Sequence, residues 1–151
     1  MSALKDTINA DLKAAMIARD TLKVQTLQGL KAAILNEEVA KKSRDIGLDD
    51  DAILQIIGRE AKKRDEAAEL FDRGGNTDAA VKERSEKEIL MVYLPAPLTE
   101  TELSELIDTV IETMQPSGPG DMGKIIGAVK SQTGAAGDGA MIAKLVKEKL
   151  Q

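Results

Sequence analysis

The chain has 151 residues and a formal charge of −5, with one Phe, one Tyr and neither Trp, His nor Cys. That length suffices for one medium domain or two small ones, each with its own core. The missing thiol rules out disulfides, thiolate metal ligands and a Cys nucleophile, and the missing imidazole removes the commonest general base and metal ligand; most hydrolase designs are excluded.

Apolar residues make up 42% of the chain, nearly all aliphatic, and charged residues 31%. Abundant Ala, Glu, Lys and Leu without β-branched runs predict an all-α fold. The start of the chain reads as an amphipathic helix carrying Asp6 and Asp11, not as a signal peptide, and no apolar stretch approaches the roughly 20 residues of a membrane span. With no Cys asking for an oxidising compartment, these features predict a cytoplasmic protein that is neither exported nor embedded in a membrane.

Leu4, Ile8, Leu12 and Met16 at four-residue spacing predict the inner face of a first helix. Leu27, Leu30 and Ile34 predict a second, with Asp20 as its N-cap, so the two form a hairpin. Asp49 opens a third helix, with Asp50 and Asp51 at its positive end and Leu48 placed to staple onto Ile53. That helix runs through Ile56, Ile57, Ala61, Ala68 and Phe71 to a stop at Gly74 and Gly75, after which Asn76 caps a fourth reaching about Leu94.

Leu94-Pro95-Ala96-Pro97-Leu98 cannot be helical, because each proline lacks an N–H and biases the residue before it toward extended geometry. The boundary between two domains, 1–94 and 95–151, is placed here. Thr99 and Glu102 then form a capping box, with Leu98 and Leu103 as its hydrophobic staple. Leu103, Leu106, Ile107, Val110, Ile111 and Met114 line the helix that follows, and Pro116, Gly118, Pro119 and Gly120 end it. Met122, Ile125, Ile126 and Val129 line a short second helix, and after a Gly-rich turn Ile142, Leu145, Val146 and Leu150 line a third. The expected architecture is about four helices followed by a three-helix bundle.

Charge is uneven. Residues 1–94 carry 16 positive and 18 negative side chains, residues 95–119 five negative and no positive, and residues 120–151 five positive and three negative. Lys124, Lys130, Lys144, Lys147 and Lys149 are thus candidates for a basic stripe that grips an RNA backbone, against the plainer reading of lysines on solvated faces. Gly123 and Lys124, in the first turn of a helix, offer N–H groups and a positive dipole end to a phosphate; alternatively Gly123 and Gly127 let a neighbouring helix approach closely. With so few aromatics, recognition of shape and backbone is favoured over base stacking. Lys41, Lys42, Arg44, Arg59, Lys62, Lys63 and Arg64 form a second basic cluster, read either as more footprint or as a face salt-bridged to Glu60 and Glu66.

Three catalytic or metal motifs fail. Gly118-Pro119-Gly120-Asp121-Met122-Gly123-Lys124 has P-loop spacing, yet Ile125 stands where a hydroxyl should hold magnesium and a helix precedes it where a strand is required. Asp49, Asp50, Asp51 and Glu60 mimic a calcium loop, yet Leu54 stands in the place of its glycine and Ile53 in that of an oxygen ligand, so these aspartates read as helix caps. The serines are scattered, and none neighbours a base suited to amidase chemistry. No metal or cofactor is expected. Tyr93 is read as a packing residue at the boundary whose hydroxyl finds a partner there.

Three stretches together, Tyr93-Leu94-Pro95-Ala96-Pro97-Leu98-Thr99, Asp121-Met122-Gly123-Lys124-Ile125-Ile126-Gly127-Ala128-Val129-Lys130 and Leu145-Val146-Lys147, resemble the stand-alone YqeY branch of the GatB/YqeY family across nearly the whole chain. The resemblance implies a helical N-terminal domain and a three-helix C-terminal domain related to the tail of the B subunit of the tRNA-dependent amidotransferase, a reader of the tRNA elbow. A similar module on some glutaminyl-tRNA synthetases strengthens tRNA capture. The family also carries the label carbon-nitrogen ligase with glutamine as amido-N-donor. One departure matters: the usual Gly-Arg-Ala-Asp before the last helix appears here around Ala135-Ala136-Gly137-Asp138, so Ala136 replaces an Arg, and Lys124 and Lys144 are left to compensate.

The expected function is therefore a non-catalytic, tRNA-associated accessory protein, with Gly123, Lys124, Lys130, Lys144 and Lys147 on the RNA backbone and tRNA or a tRNA-processing or aminoacylation protein as partner. A helical protein-interaction module without RNA is the alternative, and an amidotransferase-type enzyme in its own right ranks last.

Overall fold

The computed structural model describes residues 2–151. Among them are seven α-helices and no strand: α1 Ala3–Ala18, α2 Thr21–Ala40, α3 Asp50–Arg73, α4 Thr77–Met91, α5 Glu100–Met114, α6 Met122–Thr133 and α7 Gly139–Leu150. No helix of the described residues is long and apolar enough to cross a membrane. Contacts divide the chain into two compact units, Met1–Leu94 and Pro95–Gln151.

In the first unit each helix start is closed by a short polar side chain that accepts from a first-turn N–H. Ser2 accepts from Lys5, Asp20 from Lys23, Asp49 from Ala52 and Asn76 from Ala79. Arg19, in the left-handed region at φ 57°, and Asp20 make the short turn that folds α2 back beside α1. Gly75, at φ 78°, ends α3, where a residue with a Cβ would be strained. Ile8 and Leu12 of α1, Leu27, Leu30 and Ile34 of α2, Ile53, Ile56 and Ile57 of α3, and Leu90 of α4 make one core, with Leu48 packed into it beside Ile53. Each such Leu or Ile contributes about 1.5–3 kcal/mol by leaving water.

Met16 is 56% exposed, and Ala15 is buried in its stead. Four-residue spacing advances about 40° per step beyond a full helical turn, so by the fourth member the stripe has rotated off the core. Phe71 is likewise exposed, in the last turn of α3, where the core cluster no longer reaches. Met114, expected inside, is exposed at the last residue of α5.

The three aspartates at the start of α3 divide their work. Asp49 caps its own helix, whereas Asp50 reaches across to α1, accepting from the Ser2 hydroxyl and, at 3.2 Å, from the Leu4 N–H. Nearby Glu38 of α2 is only 2% exposed and pairs with Lys5 of α1 at 2.6 Å, so its buried charge is compensated. Between α3 and α4, Arg64 spans Glu83 at 3.4 Å and Glu86 at 3.1 Å, and Lys87 meets Asp65 at 2.7 Å. Small Ala68 and Ala80 are buried on these same two helices.

In the second unit the capping box forms as expected: Glu102 N–H donates to Thr99 Oγ1 at 3.1 Å and Thr99 N–H to Glu102 Oε2 at 3.3 Å. Leu103, Ile107 and Val110 meet Ile125 and Val129 of α6 and Ile142, Leu145 and Val146 of α7, with Leu98 packed against the same cluster. The linker between α6 and α7 is a 3-10 turn over Gly134–Ala136, and the Ala136 carbonyl accepts from Leu98 N–H at 2.8 Å, fixing the chain just before α5. Gly137 sits so close to Thr133 that a Cβ there would lie 2.2 Å from Thr133 Oγ1 and 2.7 Å from its Cβ.

Two outcomes follow. Hydrogen bonds from Ser2 and Leu4 hold the Asp50 carboxyl below its ordinary value of 3.8. A lowered carboxylate stabilises the fold above its unfolded-state pKa, and that contribution is lost as pH falls through the folded-state value. Asp50→Asn should therefore melt at a lower temperature than the native chain at neutral pH, with the gap closing below pH 3.8, as followed by far-UV circular dichroism over a pH series. Gly137→Ala should cost about 1–3 kcal/mol in urea unfolding, the usual penalty for overpacking a tight contact.

Candidate nucleic-acid interface

The five lysines of residues 120–151 do not share one fate. Ile125 and Val129 turn the inner face of α6 into the core, and Gly123, Lys124, Gly127 and Lys130 are exposed on its outer side. A Cβ added at Gly123 or Gly127 would meet nothing within 4 Å, so neither glycine serves the close approach of a neighbouring helix. They leave the outer backbone of α6 bare, at a helix-propensity cost of about 1 kcal/mol each relative to Ala.

α6 is also unlike the other helices in how it begins. Asp121 stands at its N-cap position without capping it, and instead accepts from Ser117 N–H at 2.9 Å and Ser117 Oγ at 3.0 Å. Those bonds, with Lys124 as a smaller influence, lower the Asp121 pKa and keep it ionised. Lys124 is 77% exposed, and its ammonium stands 3.8 Å from Asp121 Oδ1. A phosphate at this helix start thus competes with a resident carboxylate. The preceding 3-10 turn, Pro119–Asp121, follows helix α5, and no strand leads into it.

Lys130 is placed where sequence spacing gave no hint. Its stem and ammonium lie against the start of α7, with Cε 3.4 Å and Nζ 3.5 Å from the position a Gly139 Cβ would take. Asp138 caps that helix, accepting from Ala140 N–H at 2.9 Å and Met141 N–H at 3.4 Å. Lys130 thus stands beside the entrance to α7. Ala136 contributes its carbonyl to Leu98. Lys144 and Lys147, one turn apart, are exposed on the side of α7 away from buried Ile142, Leu145 and Val146. Lys149 is half-buried and bound to Asp108 of α5 at 2.7 Å, which removes it from the stripe. Among the described residues no carboxylate lies within ion-pair distance of Lys130, Lys144 or Lys147.

The basic cluster of the first unit is largely neutralised. Glu37 takes Lys41 at 3.3 Å and Arg59 at 3.6 Å, Glu60 takes Lys63 at 3.2 Å, and Arg64 is held by Glu83 and Glu86. The salt-bridged reading thus holds for Glu60, whereas Glu66 makes no ion pair among the described residues. Tyr93 Oη donates to Asp11 Oδ2 of α1 at 2.5 Å, and burial followed by that carboxylate raises the phenol pKa so that it remains a neutral donor.

Comparison with known proteins adds relatives to this geometry. A protein of Lachancea thermotolerans named "Altered inheritance of mitochondria protein 41, mitochondrial" is 31% identical over 114 residues, covering 74% of this chain and 60% of the relative. The Eremothecium gossypii protein of the same name is 35% identical over 89 residues, 59% of this chain and 48% of the relative. That of Pyrenophora tritici-repentis is 27% identical over 145 residues, 93% of this chain and 77% of the relative. The chain thus spans between about half and three quarters of the length of these relatives. Their names overturn the cytoplasmic expectation: the relatives are mitochondrial proteins. That expectation rested on the absence of Cys and of a membrane-length segment, which a mitochondrial protein shares. Residues 5–150 match the family described as Yqey-like protein. By that match over nearly its whole length, the chain belongs to the Yqey-like protein family.

Proposed function

We propose that this chain is a non-catalytic, tRNA-associated accessory protein whose second unit holds the RNA backbone through α6 and α7. One observation carries the reading: Lys130, Lys144 and Lys147 are exposed and unpaired among the described residues, while five of the eight acidic side chains of that unit lie on α5 and Lys149 is spent on Asp108 there. Unpaired cations on adjacent helices are what counterion-releasing contact with phosphates requires. Lys130 supports it further by placing a positive charge at the start of α7, where the GatB/YqeY pattern has Arg. The bare outer backbone at Gly123 and Gly127 leaves room for a sugar-phosphate chain to lie against α6. Relatedness to the tail of the amidotransferase B subunit belongs to this proposal, and the carbon-nitrogen ligase label then describes that larger enzyme, with this chain supplying RNA contact alone.

The test is a tRNA shift assay across a salt series, with mitochondrial tRNAs beside cytosolic ones as the relatives' names direct. Four lysines, Lys124, Lys130, Lys144 and Lys147, each neutralising one phosphate, predict a slope of about −3 in log affinity against log salt. That corresponds to a loss of about a hundredfold between 50 and 200 mM salt. Substituting Glu for Lys130, Lys144 and Lys147 together should abolish binding, and salt-independent or absent binding by the native chain rejects the reading. Asp121→Asn, which removes the carboxylate competing for Lys124, should strengthen binding a few-fold; unchanged binding would show that the start of α6 lies outside the contact.

The alternative, a protein-interaction module that binds no RNA, draws on the exposed Leu35 and Val39 of α2. Co-purification at low salt of a stoichiometric protein without RNA would select it.

A further inference from the structure

α2 is apolar on two sides. Leu27, Leu30 and Ile34 face the core, while Ala32, Leu35 and Val39 form a ridge on the solvent side, with Leu35 43% and Val39 56% exposed. A surface helix normally turns charged or polar residues outward there. Beside this ridge α1 and α2 enclose a cleft of about 250 Å³, lined by Ile8, Ala32, Ile34 and Leu35 and by the amide of Asn9. Its floor is electrically neutral, because Glu38 is paired with Lys5. Lys31 stands exposed at the rim with no carboxylate within ion-pair distance among the described residues.

Asn9, which lines this cleft, carries an acceptor with no partner among the described residues: its Oδ1 is buried and accepts no hydrogen bond. A buried acceptor without a donor is a standing cost. Half a turn about the broad terminal torsion of the side chain would exchange that oxygen with the amide nitrogen and present it to an occupant of the cleft. The group that satisfies the cleft and the oxygen together is a flat apolar ring carrying one N–H or O–H donor, as in Trp or Tyr.

We infer that the α1–α2 cleft of the first unit is a docking groove for an amphipathic helix of another protein, anchored by a Trp or Tyr side chain and flanked by acidic residues. The ridge at Ala32, Leu35 and Val39 has the i, i+3, i+7 spacing against which the apolar face of a second helix packs. Acidic flanks meet the unpaired Lys31 at the rim. A second copy of this chain cannot be the occupant: it has no Trp, its one Tyr is bound to Asp11, and its one Phe has no donor. This inference does not depend on RNA binding by the second unit.

The absence of Trp makes the test direct, since a peptide's indole is then the only one in the cuvette. The probe is a synthetic amphipathic helix with a single Trp among leucines on one face and glutamates at its borders, titrated with the full chain. A saturable blue shift is expected, weakened by about tenfold or more in Leu35→Glu, as when charge enters the centre of an apolar interface. It should be unchanged in Val81→Glu, an exposed site on α4. A Phe version of the peptide, read by its displacement of the Trp peptide, should bind more weakly, and that difference should vanish in Asn9→Leu, with far-UV circular dichroism showing both variants folded. No saturable shift, full affinity in Leu35→Glu, or equal affinity for the Trp and Phe peptides would each overturn the inference. So would binding of N-acetyltryptophanamide as tightly as the peptide, which would mark a small-molecule pocket.

Discussion

A core of leucine, isoleucine, valine and alanine attracts helices to one another without telling them where to begin. Aliphatic contact is non-directional, and almost no aromatic side chain is present to key the packing. Direction comes from the polar groups at the helix starts. Ser2, Asp20, Asp49, Asn76, Thr99 and Asp138 each accept from first-turn N–H groups, and Asp50 goes further by tying the beginning of α3 to the beginning of α1. Once those ends are fixed, the apolar stripes have only one way to meet.

This is why so much of the fold was legible in the sequence. Caps and breakers are local signals, written within a few residues of the bond they make: Thr99 with Glu102, Asn76 after two glycines, the prolines at 95 and 97. What was not legible needed the third dimension. Met16 looked like a core residue because four-residue spacing imitates helical periodicity over two turns and drifts off it by the third. The partner of Asp50 lies 48 residues away, and nothing local distinguishes a carboxylate that caps its own helix from one that caps another. Gly137 read only as part of a Gly-rich turn, whereas Thr133 crowds it so closely that only the absence of a side chain fits.

The candidate interface was legible in its parts and not in its arrangement. Counting lysines gave a stripe of five, but Lys149 is taken by Asp108 and Lys124 is shadowed by Asp121, while Lys130, six residues along α6, stands at the start of the next helix. Sequence charge is a sum, and what a phosphate meets is the remainder after neighbours have been paired. In the first unit the same subtraction removes most of an apparently basic patch, because Glu37, Glu60, Glu83 and Glu86 each hold a cation there. Compartment was the least legible property, since a helical fold built this way suits the mitochondrial relatives as readily as any cytosolic protein.

The hydrogen bond between Tyr93 and Asp11 has a spectroscopic corollary. All aromatic rings of the chain lie in the first unit, at Phe71 and Tyr93, and residues 95–151 have none. Near-ultraviolet signals are therefore blind to the lysine-bearing bundle and report on the four-helix portion alone, chiefly through a phenol whose environment changes when α1 and the end of α4 separate. The backbone signal of α-helix, in contrast, samples the whole chain. Melting curves recorded in the two wavelength ranges will coincide only where both halves lose their structure together, so the placement of one ring divides the thermodynamics of the molecule without any label.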